Sequence, residues 1–392
     1  MLGKNHKKLV VIVGPNASGK SDLAVKLAKK FNGEVVSADS RQVYKGMDIG
    51  TGKVPRDKLK IKNEKLKIYL HQGIPHHLLD VVSPKRRFSV AQYQKKAIEA
   101  IRKIQKKGKL PILCGGTGFY VQAVVDGLVF PKVKPDWKLR KKLEQKSAKG
   151  LYEYLKKLDP ERAKTIEKDN KRRLIRAIEI VLKTGKPVPK LKKQKLFDVL
   201  MIGIKRDKKE LKERIRKRLL KRLKQGMIEE VKKLKESGLS WKRLEEFGLE
   251  YRWIARYLQG KIDYQEMIKK LQKDIEEFAK RQMTWFKRDR RIYWIKFQRG
   301  KKTSRRIYKK IKGVLEMRTP LLGFTLLLAA SLFHLLAFVV SLYELLNKVP
   351  TETSRAPHRR AGQLLICVFA VRSSSHFLLS IKVVFLHKIK LS

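Results

Sequence analysis

Leu9 to Val13 is an unbroken apolar, β-rich run closed by Gly14, the pattern of a strand buried on both faces of a parallel sheet. An amphipathic helix follows from Gly19 to Phe31, and Val35 to Ala38 makes a second short strand. The stretch SVAQYQKKAIEAIRKIQKKG predicts a helix, and LPILCGG, Leu110 to Gly116, a third strand. Strand and helix alternate, so the expected class is α/β with a parallel sheet. Between Gly52 and His76 the chain is long and Lys-rich and reads as an irregular surface insertion. His76 and His77 are expected in a loop packing motif, since no third ligand lies near enough in sequence to suggest a metal site.

The pattern changes after GFYVQAVVDGL. From about Pro131 to Leu196 it is Lys-rich and helical, jointed at Pro135, Pro160, Pro187 and Pro189. FDVLMIGIKR, Phe197 to Arg206, returns to strand character and leads into the basic helix DKKELKERIRKRLLKRLKQG. Further helices run from Met227 to about Phe286, RRIYWIKF is one more strand, and a last basic helix ends near Met317. Trp285 and Trp294 are expected as core or helix-packing residues. The organisation predicted is a core of residues 1–130 and 197–317, an inserted helical subdomain at 131–196, and a tail at 318–392 of different composition.

A length of 392 residues suits two or three folding units. Charge sharpens the picture: 96 Lys and Arg stand against 36 Asp and Glu, a formal net charge of +60. Such a field attracts polyanions, although solvated helix faces in a generally Lys-rich chain would give the same count. The two cysteines, Cys114 and Cys367, form no Cys-x-x-Cys pair and exclude a zinc ribbon or a disulfide framework. The amino terminus has too few consecutive apolar residues for a signal peptide, so a cytoplasmic body is expected. Thr319 to Tyr343 carries no charged residue and is long enough to cross a bilayer, which needs about 20 apolar residues. A native membrane anchor and a non-native extension are the two readings of this tail. The second is preferred, because capacity to insert is not insertion.

Chemistry enters at GPNASGKS, Gly14, Pro15, Asn16, Ala17, Ser18, Gly19, Lys20 and Ser21, which fits G-x-x-x-x-G-K-[ST] between a strand and a helix. Backbone N–H groups of such a loop converge on phosphate oxygens, Lys20 adds a mobile positive charge, and the Ser21 hydroxyl can ligate Mg2+. Kinases, ATPases and GTPases share this loop, so it implies a bound phosphate or diphosphate without naming the substrate. Asp39 ends the second strand at the same carboxyl edge of the sheet. It can hold metal-bound water, act as a general base, or simply cap a turn through its own backbone.

GPNASGKS, SADSRQVYKGMDIGTGK, PHHLLDVVSP, FSVAQYQ, LPILCGGTGFYVQA, RRLIRAIEI and FAKRQMTWFKRD occur in an order and spacing that resembles the tRNA dimethylallyltransferases, over roughly residues 8 to 300. The resemblance implies a P-loop parallel-sheet core with an inserted helical tRNA-binding subdomain. It also implies transfer of a dimethylallyl group from dimethylallyl diphosphate to N6 of the adenosine beside the anticodon in tRNA. A P-loop nucleotide kinase or ATPase is the alternative. Asp39 matches the family's general base, with Ser40, Arg41 and Gln42 completing the stretch at the flipped-out adenosine. Thr117 and Arg140 match positions at the tRNA and diphosphate channel, and Arg172, Arg173, Leu174, Ile175 and Arg176 a tRNA-contacting stretch. Arg214 and Arg218, one helical turn apart, suit the leaving diphosphate. Mg2+ and a monomeric state are implied, with a membrane as partner only if the tail is native. One departure stands out: FGLEYRW, Phe247 to Trp253, occupies the place where many members read IGYKE, which puts a local tRNA contact in doubt.

Overall fold

The computed structural model describes residues 8–57, 69–296, 307–309, 311–313, 337–339, 341, 365–372 and 377–384. Residues 1–318 and 319–392 are two separate compact units. The first is built on a seven-stranded sheet of β1 (Lys8–Val13), β2 (Gly33–Ser37), β3 (Tyr69–His71), β4 (Ile74–His77), β5 (Leu110–Cys114), β6 (Asp198–Lys205) and β7 (Ile292–Lys296). Their order across the sheet is β3-β4-β2-β5-β1-β6-β7. Every neighbouring pair is parallel except the edge pair β3 and β4.

Strand β1 shows why the sheet is central. Alternate side chains of a strand face opposite ways. Leu9, Val11 and Val13 enter the apolar layer on one face and Val10 and Ile12 the layer on the other, all fully buried. At about 1.5–3 kcal/mol for each buried aliphatic side chain, a five-residue run that is apolar on both faces is a strong anchor for the register. One layer contains α1 (Lys20–Lys30), through Leu23 and Leu27, together with Ile307 and Ile311. The other contains α2 (Val90–Lys106), opened by a capping box between Ser89 and Gln92, and α3 (Gly118–Val125).

Four helices follow: α4 (Trp137–Glu144), α5 (Ala148–Leu158), α6 (Pro160–Thr165) and α7 (Lys171–Thr184). They share a separate apolar cluster that includes Leu151, Leu155, Leu174 and Ile178. Asp159 caps α6 at Arg162 and also accepts from the Val188 N–H at 2.7 Å, tying the exit of α7 back to the entry of α6. The chain re-enters the sheet at β6. It then builds α8 (Lys208–Lys224), α9 (Met227–Glu236), α10 (Trp241–Phe247), α11 (Leu249–Leu258) and α12 (Tyr264–Lys287), whose apolar faces join the layer that contains α2 and α3.

The expected irregular insertion between Gly52 and His76 is corrected at its end. Tyr69–His71 and Ile74–His77 are strands, and His76 and His77 pair with Val35 and Val36. The Lys-rich flank concealed them, and only the neighbouring β2 edge makes them strands. Most of the last basic helix, and nearly all of the uncharged run Thr319–Tyr343, lie outside the described residues. Among the described residues no helix is long and apolar enough to cross a membrane. Within residues 319–392, β8 (Leu365–Arg372) and β9 (Phe377–Val384) pair antiparallel.

Glu34 on β2 is buried under the sheet edge and accepts from His77 Nε2 at 2.7 Å and Lys109 Nζ at 3.0 Å. Burial alone would raise its carboxyl, but these donors overcome it and hold the group down at about 2. A carboxylate depressed on folding stabilises above its unfolded value and loses that contribution as pH falls through its folded value. Glu34→Gln should therefore cost about 1–3 kcal/mol at neutral pH. The gap in thermal midpoint between variant and parent should close as pH is lowered from 4.5 towards 2, as calorimetry would measure.

Candidate active site

Three loops meet at the carboxyl edge of the central strands: the P-loop after β1, the Asp39 turn after β2 and the glycine loop after β5. Their closeness depends on Gly115, because a Cβ there would stand 2.1 Å from the Ala38 carbonyl oxygen. Backbone bonds then stitch the strand ends, with Gly115 N–H donating to Ile12 at 3.2 Å and Thr117 N–H donating to Ala38 at 3.1 Å. Gln282 from α12 closes the arrangement. Its Nε2 donates to the Gly116 carbonyl at 2.9 Å while its Oε1 accepts from the Asn16 N–H at 2.8 Å.

A cavity of about 440 Å³ opens above these loops. It is lined by Asn16, Lys20 and Ser21, by Asp39 to Gln42 and Thr117, and by Phe247 to Glu250 with Phe278. Asp39 Oδ1 accepts from the backbone N–H of Arg41 at 2.8 Å and of Gln42 at 3.3 Å. The turn-capping role is thus real, but it occupies one oxygen. Among the described residues no hydrogen bond engages Oδ2, and the residue lines the cavity. Thr117 Oγ1 accepts from the Ser40 N–H at 3.0 Å, which fixes the far side of the same turn. Gln42 is held by Ser37 at 3.0 Å and donates to the carbonyls of Thr51 and Gly52, so it organises the loop that roofs the cavity. Arg41 lies over the Phe247 ring, 5.6 Å from its centroid.

Lys20 Nζ donates to the Pro15 carbonyl at 2.6 Å. Burial, reinforced by the charge of Arg218, pushes its ammonium down to about 8. Ser18 is buried, and its hydroxyl has no partner among the described residues, as expected of a loop shaped to surround an anion. Arg218 reaches Asn16 Oδ1 at 3.1 Å and lines the cavity. Burial and the neighbouring Arg222 push its guanidinium down, though an arginine remains charged across the physiological range. Arg214 is placed differently. Its Nε donates to the Ala17 carbonyl at 2.9 Å, so it props the P-loop and is not among the cavity-lining residues.

Helix α7 divides the five positions expected to contact tRNA. Leu174 and Ile175 are buried in the apolar cluster of helices α4–α7, which corrects their assignment to a nucleic-acid surface, since the helix turns those side chains inward. Arg172 and Arg173 are exposed. Arg176 and Arg140 both pair with the buried Glu179, Arg140 through two bonds of 2.8 and 2.7 Å, and Arg140 also stacks on the half-exposed Trp137.

The family model described as IPP transferase matches residues 42–289. The tRNA dimethylallyltransferase of Carboxydothermus hydrogenoformans is 42% identical over 315 residues, covering 78% of this chain and 96% of that protein. The chain belongs to the IPP transferase family. A solved tRNA isopentenylpyrophosphate transferase from Bacillus halodurans is 36% identical and superposes with a TM-score of 0.58, over 81% of this chain and 99% of that one. A eukaryotic dimethylallyltransferase captured acting on tRNA superposes with a TM-score of 0.60 at 25% identity, over 96% of this chain and 92% of that one.

Two residues of this family member went unnominated from sequence although a signal existed. Gln282 falls at the helical spacing of Leu271, Ile275, Ala279 and Phe286, so a lone amide interrupts an apolar stripe. Arg222 lies one further turn along the face that carries Arg214 and Arg218. Glu250 and Phe278 carried no such signal, because only packing brings α11 and α12 to the P-loop.

The depressed Lys20 gives the site a pH dependence of definite sign. As pH rises through about 8 its ammonium loses a proton, and the cavity loses positive charge unless a bound anion holds the proton on. After correction for the protons that inorganic diphosphate itself loses over this range, its affinity should fall as pH rises through about 8, by up to roughly tenfold per unit, in a calorimetric titration. A flat profile from pH 7 to 9.5 would contradict this account of Lys20.

Proposed function

We propose that this protein transfers a dimethylallyl group from dimethylallyl diphosphate to N6 of the adenosine beside the anticodon in tRNA, releasing diphosphate. The observation that carries this reading is Asp39: one carboxylate oxygen builds the turn, no hydrogen bond engages the other among the described residues, and the residue lines the cavity that the P-loop also lines. As the nitrogen attacks, the allylic carbon–oxygen bond breaks and its electron pair leaves with diphosphate. A carbon–nitrogen bond forms, and Asp39 takes the N6 proton. Positive charge builds on the allyl group and negative charge on the leaving group, so preorganised N–H donors and cations around the diphosphate supply the stabilisation. The P-loop amides, Lys20 and Arg218 are those donors, and Arg214 keeps the loop in shape by holding Ala17.

Mg2+ fits the donors present. The Ser21 hydroxyl at the cavity rim is a hard oxygen ligand of the kind this ion takes alongside water and substrate phosphates. Bound there, Mg2+ would neutralise charge on the diphosphate. The basic surface suits tRNA, with Arg172 and Arg173 as the exposed cations of the subdomain helix α7. Residues 131–196 are proposed as the tRNA-binding insertion in a monomeric enzyme.

Incubation with dimethylallyl diphosphate and unmodified tRNA should yield isopentenyladenosine on digestion. ATP hydrolysis without that product would instead support a P-loop ATPase. Asp39→Asn should lower turnover by about 10²–10⁴ while sparing tRNA binding. The amide oxygen can still cap the turn, so the loss would isolate proton removal. Normal turnover in this variant would remove Asp39 from the role of base.

A further inference from the structure

Arg222 is almost fully buried, at 7% exposure, yet lines the cavity. Its Nη1 donates to the Gly50 carbonyl and to Glu250 Oε1, both at 3.2 Å. Its Nη2 has no hydrogen-bond partner among the described residues. Buried polar groups are nearly always paired, so an orphan guanidinium nitrogen beside a cavity signals a ligand atom. Gly52 shows where it points. A Cβ on that residue would fall 1.6 Å from Arg222 Nη2 and 2.1 Å from Arg218 Nη2, so two guanidinium edges converge on one spot. Arg218 meanwhile reaches back to Asn16 of the P-loop at 3.1 Å. Two guanidinium groups brought this close, one buried and one half-buried, favour an anion bound beside them in addition to the single carboxylate of Glu250.

We propose that Arg222 is a second diphosphate-binding guanidinium in this chain, aimed by the positioning residue Glu250, so that the P-loop takes one phosphoryl group and the Arg218–Arg222 pair the other. The assignment rests on the cavity being a diphosphate site. Glu250 belongs to the segment FGLEYRW that departs from the family's IGYKE, so this pairing accounts for one of its unusual residues. The carboxylate occupies Nη1 and leaves Nη2 free, and it also offsets the charge of one arginine when no ligand is bound.

Calorimetric titration of the full-length protein with inorganic diphosphate tests the assignment. Arg222→Met should weaken binding by about 10- to 100-fold, the loss expected for a charge-assisted hydrogen bond, with tRNA affinity unchanged. Arg222→Gln, which can still bond to Gly50, should weaken it similarly and serves if the methionine variant does not fold. Glu250→Ala should also weaken binding but add little on top of Arg222→Met, because both changes remove the same guanidinium from its place. Folded Arg222 variants with parental diphosphate affinity would overturn the proposal, as would full additivity of the two changes for the role of Glu250. Weakened diphosphate binding would support it even if no isopentenyladenosine formed, a result that would sink the proposed reaction alone.

Discussion

The close approach of three strand-end loops is the constraint on which the site depends. It exists because Gly115 presents no side chain to the Ala38 carbonyl and because Gln282 bridges Asn16 and Gly116. With the loops this close, Asp39, Lys20 and Arg218 share one cavity. Widening the gap by one methyl group would separate the carboxylate from the anion loop. The long helix α12 therefore does more than cover apolar surface: its stripe of Leu271, Ile275, Ala279 and Phe286 seats the one amide that holds the loops in register.

That closeness has an electrostatic consequence. Around the cavity Arg222 is buried and Lys20 and Arg218 are half-buried, with Asp39 and Glu250 as the neighbouring carboxylates. Cations gathered in a partly desolvated cavity favour a polyanionic ligand there. The same burial lowers Lys20 and makes the charge of the site sensitive to mildly alkaline pH. Buried pairs away from the cavity have other work. Glu179 gathers Arg140 and Arg176 between helices α4 and α7, and Glu34 gathers His77 and Lys109 beside the sheet.

Much of the fold was legible because it is written in local pattern. The run Leu9–Val13 announces a doubly buried strand, the P-loop sits between that strand and α1, and helical periodicity identifies α2, α7 and α8. Strands β3 and β4 were not legible, since three- and four-residue strands beside a Lys-rich stretch have no periodicity of their own. The nominated arginines divide in the same way. Sequence identifies which are basic but not whether a carboxylate from another helix awaits them, and so Arg140 and Arg176 went to Glu179 while Arg218 went to the cavity.

The sequence by itself determined the class of fold, the anion loop, the carboxylate that follows it and the family to which they belong. Each is a short-range pattern whose chemistry travels with adjacent residues. Only the tertiary structure decided which side chains are available to a ligand. Leu174 and Ile175 turn inward, Arg214 supports the loop from behind, and Arg222 is pinned by a glutamate 28 positions later with one nitrogen left over. Availability depends on what else has been packed against a group, and that is settled by contacts between residues far apart in the chain.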